Sequence, residues 1–337
     1  MSLTVLKPGL LTTVQDLGRK GHQRQGVVVG GAMDKLALRM ANLLVGNDEN
    51  AAVLEITMVG PELLFEHDTL IALTGADLSA SINEQPVRLW RPLLIKAGSI
   101  LSFGRPVLGN YTYLALAGGI NVDASMGSRS TYLRAGLGGL EGRALRAGDT
   151  LAKEEAKAES VLLLSDLLLH PKTDSPFIEA SWSPEPELLP AYQPAPTLRA
   201  LPGLEFNCFT ENSREYIWQE KFKVSTQSDR MGCRLQGVSL SLTEEMELLS
   251  TAVSYGMVQV PPQGDPIILM ADCQTTGGYP RIAQVITADL PILAQVQPGG
   301  VIRFEEVSLE EAQRLLYLLE KQLLALRQAI LYKLHQS

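Results

Sequence analysis

Short apolar runs broken by glycine set the strongest limit on what this chain can fold into. TLIALTGADL from Thr69, SILSFGRP from Ser99 and GNYTYLALAGG from Gly109 are rich in strand-favouring residues and bounded by turn signals. That punctuation predicts barrels or sandwiches rather than alternating β-α units, so the expected class is mainly β. With 337 residues, two domains are expected at ~100 to 200 residues each. Seven prolines crowd between Pro171 and Pro196, in a stretch unsuited to a helix or a central strand. The expected organisation is a first β domain over 1–154, a proline-rich linker over 155–196, a second β domain over 197–306 and a C-terminal helix over 307–337.

The two halves also echo one another. DKLALRM from Asp34 aligns with DRMGCRL from Asp229, LIALTGAD around Leu73 with IILMADCQ around Leu269, and AGSILSF ending at Phe103 with PGGVIRF ending at Phe304. The three matches keep their order, which predicts a duplicated β domain with Asp34 and Asp229 in equivalent elements.

Two helices stand out. Asp34 is placed to cap KLALRMANLLVG, whose Leu36, Met40, Leu43 and Leu44 share a face. Near the end, Ser308 and Glu311 have capping-box spacing. Leu309, Ala312, Leu316, Leu319, Leu323, Leu326 and Ile330 then recur at spacings of three and four. This seam needs a covering surface, on its own barrel or on another subunit.

Composition removes several functions. Lys+Arg 29 against Asp+Glu 37 gives a formal charge of -8, and no basic block is present to neutralise nucleic-acid phosphates. Cys208, Cys233 and Cys273 form no CxxC pair, and His22, His67, His170 and His335 are isolated from one another, so no metal site is expected. There is no P-loop, zincin or nucleophile-elbow motif. GLGGLEGR from Gly136 reads as a turn. No charged leader precedes an apolar run, and none reaches the ~20 residues that span a bilayer. The expectation is a soluble, cytoplasmic chain with no membrane contact.

What remains is a set of polar clusters at the edges of apolar runs. They are Gln15, Asp16, Arg19 and His22; Ser128, Arg129, Ser130 and Thr131; Ser228, Asp229, Arg230 and Arg234; and Asp272, Gln274, Thr275, Thr276, Tyr279 and Arg281. Taken singly, each is a tight turn that needs Asp, Ser and Gly for backbone reasons. Together they suit a small anion: arginine forks bind carboxylates bidentately, and the N–H groups around Gly277 and Gly278 could form an anion-binding concavity.

The same strings carry a resemblance. TTVQDLGR, GGAMDKLALRMANLLVGN, LTGAD, GSRSTYLRAGLGGLEGRAL, SDRMGCRLQG and VQVPPQGDPIILMADCQTTGGYPRIA resemble the carboxyltransferase-related family. That family includes a component of 5-oxoprolinase, the KipA-like proteins and the carboxyltransferase region of urea carboxylase. The likeness runs from about Lys7 to Phe304. It departs from the family at Pro202, Gly203 and Leu204, where PGP is frequent. The resemblance implies two cyclophilin-like antiparallel β-barrels with a few helices and a long C-terminal helix. It further implies a heteromeric assembly with the B and A components of 5-oxoprolinase, the B component as direct partner. That assembly opens 5-oxoproline to glutamate with ATP, the ATP being used by the complex, with no metal or covalently bound biotin on this chain.

Lactam opening and urea carboxylation both begin at a resonance-stabilised amide, and donors placed where charge develops on its oxygen lower the barrier. Arg230, Thr276, Tyr279 and Arg281 are the expected catalytic groups. Asp16, Arg19, Ser128, Ser130, Asp272, Gln274, Thr275, Gly277 and Gly278 are the expected substrate-binding groups, Arg19 being the candidate partner of a substrate carboxylate. Two alternatives stand beside this reading: a carboxybiotin-dependent carboxyltransferase acting on urea or a similar amide, and a KipA-like, non-catalytic regulator of a kinase inhibitor.

Overall fold

The computed structural model describes residues 2–169 and 175–336; His170 and Pro171 lie outside them. The described residues divide into two compact units, one drawn from 1–19, 34–190 and 321–337, the other from 20–33 and 191–320.

In the first unit two six-stranded sheets share one core. One sheet runs in the order Thr150–Ala152, Ser2–Lys7, Glu62–Phe65, Ile100–Ser102, Ser81–Ile82, Gln85–Pro86. The other runs Phe177–Glu179, Pro92–Ile95, Thr69–Asp77, Leu108–Leu116, Val53–Thr57, Leu11–Gln15. Leu3, Phe65 and Leu101 of the first sheet meet Leu54, Ile71 and Leu114 of the second in that core. Helix α1, Lys35–Leu44, lies over the second sheet, where Thr74 Oγ1 donates to Ala37 O at 2.7 Å. Covered on both faces, Thr69–Asp77 is buried through Ala76, which is why its sequence is apolar without alternation. Helix α2, Ala158–Leu168, completes the unit.

The second unit is a closed barrel ordered Thr197–Pro202, Arg281–Val285, Met257–Gln259, Ile267–Leu269, Gly232–Gln236, Phe222–Val224, Val301–Glu306. Its pairs are antiparallel except Thr197–Pro202 with Val301–Glu306, which closes the barrel in parallel. Strands such as Val301–Glu306 alternate buried and exposed residues, as expected of a sheet with one wet face. Helices α3, Glu211–Gln219, and α4, Leu290–Ala294, belong here. A separate two-stranded ladder joins Thr251–Ala252 to Thr276–Gly277. The mainly β class, the few helices and the long C-terminal helix α5, Leu309–Gln336, agree with the sequence reading.

Three expectations need correction. The proline-rich segment is not a bare linker: α2 precedes its prolines, and Phe177–Glu179 pairs with Pro92–Ile95 at the sheet's edge, a position that tolerates a neighbouring proline. Residues 20–33, expected with the first domain, group with the second unit; Arg230 Nη2 and Tyr255 Oη donate to the carbonyls of Gly31 and Met33 at 2.6 and 2.9 Å. The match between Asp34 and Asp229 does not mark equivalent elements. Asp34 accepts from Ala37 N at 2.9 Å and opens α1, whereas Asp229 accepts from Met231 N at 2.8 Å and Gly232 N at 3.1 Å before a barrel strand. An aspartate satisfies backbone N–H groups two or three residues ahead in either case, and the periodicity that follows decides helix or strand.

The α5 seam is covered by this chain over its second half, where Leu323, Leu326 and Ile330 are buried, while Leu309 is exposed. Among the described residues no helix is long and apolar enough to cross a membrane.

Tyr113 ties α1 to its sheet. Its fully buried hydroxyl donates to Glu55 Oε2 at 2.7 Å and accepts from the N–H of the cap residue Asp34 at 2.7 Å. Burial lifts the phenol well above its ordinary pKa, keeping it a neutral donor. Tyr113→Phe removes a hydrogen bond to a buried carboxylate, so the urea midpoint should fall by the equivalent of about 1.5–3 kcal/mol without a change in slope; an unchanged midpoint contradicts this role.

Candidate functional site

The stretch LMADCQTTGGYPRIAQV, residues 269–285, leaves the barrel at Leu269 and re-enters it at Arg281. Two ion pairs fix its ends. At the first, Asp272 takes the fork of Arg230, with Nε to Oδ2 at 2.7 Å and Nη2 to Oδ1 at 3.0 Å, while Asp272 N donates to Arg230 O at 2.8 Å. Both side chains are buried, where each charge needs the other. At the second end Arg281 holds Glu205: Nε donates to Oε2 at 2.7 Å, Nη2 to Oε1, and the Arg281 N–H to Oε2 at 3.0 Å. The third guanidinium nitrogen, Nη1, donates to Thr251 Oγ1 at 3.0 Å. Arg281 holds the Glu205 carboxyl below the usual carboxylate range, chiefly through the side-chain hydrogen bond. A Cβ on Gly203 would stand 2.2 Å from Arg281 O, so glycine is required at that turn, whereas the departing residue Leu204 points into solvent and is 79% exposed.

The expectation that these forks face a ligand is therefore revised. Arg230, Arg281 and Asp272 are joined in internal pairs that position the loop between them.

The loop itself is open to solvent. Gln274, Thr276 and Tyr279 are exposed, and Thr275, Gly277 and Gly278 are half-buried. Thr276–Gly277 pairs with Thr251–Ala252 in the register Thr251 to Gly277 and Ala252 to Thr276. A Cβ on Gly277 would approach Gln259 Nε2 to 2.8 Å, and one on Gly278 would lie 3.0 Å from Leu248 O. Buried Gln259 donates through that same nitrogen to Tyr279 O at 3.3 Å. The two glycines are thus explained by close packing. Neither has positive φ, so no αR-αL alternation is present at these two residues.

In the first unit, Asp16, Ser128, Ser130 and Arg19, read from the sequence as parts of two separate clusters, meet in a buried lock. Asp16 Oδ1 accepts from Gly18 N at 2.8 Å, Ser128 Oγ at 2.7 Å and Ser130 Oγ at 2.5 Å, and Oδ2 accepts from Arg129 N at 2.6 Å. Arg19 Nη2 donates to Ser130 O at 2.5 Å, with no side-chain exposure to meet a substrate carboxylate. The neighbouring 136–143 run is a set of turns with Gly136, Gly138, Gly139 and Gly142 at positive φ. Among the described residues no three His, Cys, Asp or Glu side chains converge as metal ligands.

Sequence reasoning missed a cleft of about 870 Å³ in the second unit. Phe209, Leu240, Met246 and Val260 contribute apolar lining, and Gly278 and Tyr279 form part of one wall. Among the described residues, Glu245 and Glu247 are its only charged lining and no cation reaches it, so it does not suit a small anion. Its signal in the sequence is the acidic and apolar run TEEMELLS before Thr251.

Comparison with known proteins agrees with this architecture. Residues 25–306 match the carboxyltransferase domain, subdomain A and B. The chain is 43% identical over 303 residues to the C subunit of 5-oxoprolinase from Haemophilus influenzae, covering 90% of each protein. It is 45% identical over 312 residues to the C subunit of 5-oxoprolinase from Escherichia coli, covering 92% of this chain and 93% of that one. The crystal structure of Kluyveromyces lactis urea carboxylase superimposes with a TM-score of 0.85 at 30% identity, covering 96% of this chain but 29% of that enzyme. Matched in sequence across both units, and in fold over nearly its whole length, the chain belongs to the family of the carboxyltransferase domain, subdomains A and B.

Proposed function

We propose that this chain is the amide-activating subunit of an ATP-dependent 5-oxoprolinase, binding the B component of that enzyme directly and working with the A component in the cytoplasm. The observation that carries this reading is the 43% and 45% identity, over nine-tenths of both partners' lengths, to proteins named as the C subunit of that enzyme. In the reaction water adds across the ring amide of 5-oxo-L-proline: the C–N bond breaks, the carbonyl carbon becomes a carboxylate and the nitrogen becomes the amine of L-glutamate. ATP is consumed within the assembly, and its chemistry is assigned to the partners because this chain has no recognised nucleotide motif. Neither a metal nor covalently bound biotin is part of the proposal for this chain.

Among the expected catalytic residues, Thr276 and Tyr279 keep that role, since both are exposed on the loop. Their hydroxyls can donate to an amide oxygen as it gains charge, which neutral donors held by a rigid frame do without reorganising. Gln274 and Thr275 line the same loop as substrate contacts. Arg230 and Arg281 are positioning residues, through Asp272 and Glu205.

A second reading has one observation behind it. The fold match to urea carboxylase favours carboxyl transfer from carboxybiotin to urea or a similar amide, which avidin would inhibit.

Mixed with the B and A components, the purified chain should release glutamate from 5-oxoproline only when ATP is present, and alone it should release none. Turnover by the isolated chain, or inhibition of the mixture by avidin, overturns the first reading. In the assembled enzyme, Tyr279→Phe and Thr276→Val should each lower kcat by roughly 10²- to 10³-fold if their hydroxyls meet the developing anion; wild-type turnover removes them from the mechanism.

Glu205→Gln tests the positioning role by pH. The Glu205 pKa is lowered in the folded chain, so its stabilisation is present above the ordinary glutamate pKa and disappears as pH falls through the folded value. The variant should be less stable than wild type by about 1.5–3 kcal/mol at neutral pH, the range for a hydrogen bond to a charged group, and the gap should close in acid. A pH-independent gap in the unfolding midpoint argues against the ion pair as its source.

A further inference from the structure

One segment of the second unit takes no part in the barrel, the ion pairs or the loop. Residues 244–250, EEMELLS, run along the cleft into Thr251–Ala252. Among the described residues, no backbone hydrogen bond joins 244–250 to the rest of the unit. Thr251–Ala252 continues that edge, being paired, among the described strands, only with Thr276–Gly277. The segment therefore leaves main-chain donors and acceptors open to whatever lies beside it, leading into the strand Thr251–Ala252, and an extended partner could pair with it as with an exposed strand edge. Its side chains add a second feature. Leu249 is 89% exposed and Met246 38%, next to an apolar cleft whose charged lining is Glu245 and Glu247.

We propose that this edge and cleft are the docking site for an extended, basic and apolar segment of the partner subunit. The segment adds as a strand along 244–252, seats apolar side chains in the cleft and sets Lys or Arg against Glu245 and Glu247. A polypeptide fits better than a small ligand. At ~3.3 Å per residue the open edge extends for more than ~20 Å, and another main chain can satisfy such a row of backbone groups throughout. The acidic wall selects the sign of the partner, because an acidic segment would meet like charges at close range. The cleft shares Gly278 and Tyr279 with the loop, so docking here brings the partner beside the proposed reacting groups. This inference rests on the reading that the chain works in a heteromeric assembly.

The test uses the full chain and the purified B component of 5-oxoprolinase. Hydrogen exchange should slow at alternate amides within 245–252 when the B component is added, since an added strand bonds the N–H groups on its own side. By calorimetry, Glu245→Lys/Glu247→Lys should weaken Kd by about tenfold or more and flatten its dependence on salt, as loss of a complementary charged rim does. Met246→Ser/Leu249→Ser should weaken Kd by a similar factor, roughly the effect of losing a moderate hot spot. The control Val161→Ser/Leu169→Ser, which changes exposed residues of the first unit, should leave Kd unchanged. If the B component binds the wild-type chain yet exchange at 245–252 does not slow, the docking site is refuted while the assembly stands. Exchange on the wild-type chain decides this even if a variant misfolds. If the B component does not bind the wild-type chain at all, both the docking site and the heteromeric reading fall.

Discussion

The ion pair between Arg281 and Glu205 is the constraint on which the exposed loop depends. One guanidinium reaches three parts of the second unit: its own strand, the turn after Thr197–Pro202 that carries Glu205, and the ladder residue Thr251. With all three nitrogens engaged, the place where the chain re-enters the barrel is fixed in both position and orientation. Arg230 and Asp272 do the same where the chain leaves it. Between these anchors, Gln259 donates to Tyr279 O and would have to shift its amide to admit a Cβ on Gly277. A loop held this way can keep exposed hydroxyls in place without burying them, which is what preorganised catalysis demands of its frame.

Those two arginines also show where sequence reading stops. A fork that suits a substrate carboxylate suits an internal carboxylate equally well. Their internal partners are distant in sequence, Asp272 lying 42 residues from Arg230 and Glu205 lying 76 from Arg281. No local pattern connects such pairs, so residue type and spacing alone could not separate a ligand site from a tie. The Asp16 cluster does the same across 112 residues to Ser128: its members are legible as a set, and burial decides that they face one another.

Much of the fold was legible for the opposite reason, because it follows from local periodicity. Asp34 and the spacing of Leu36, Met40 and Leu43 determine α1; the three- and four-residue seam determines α5. Glycine-punctuated runs give strands of the first unit, at Thr69–Asp77, Ile100–Ser102 and Leu108–Leu116. The duplicated strings misled at Asp229, since an aspartate cap is common to helix starts and strand turns. The 244–250 segment carries only a short polar and apolar alternation from Glu245 to Leu248, too brief to be read as an element by itself. Its pattern of acids and aliphatics acquires meaning only beside the cleft.

Electrostatics then links the loop to the proposed partner. Pairing Arg230 and Arg281 internally neutralises the two cations flanking the loop, while Glu245 and Glu247 add negative charge along the adjoining cleft. A substrate such as 5-oxoproline carries its own carboxylate, and a surface of this sign disfavours its approach. Under the proposed function, the positive charge that holds that carboxylate comes from outside the loop and its cleft. A basic segment lying along the acidic edge would reverse the local sign and bring cations next to Thr276 and Tyr279. The proposed dependence on a partner then follows from the distribution of charge around the loop, because the ties that hold its ends use the cations that could otherwise have met a substrate carboxylate.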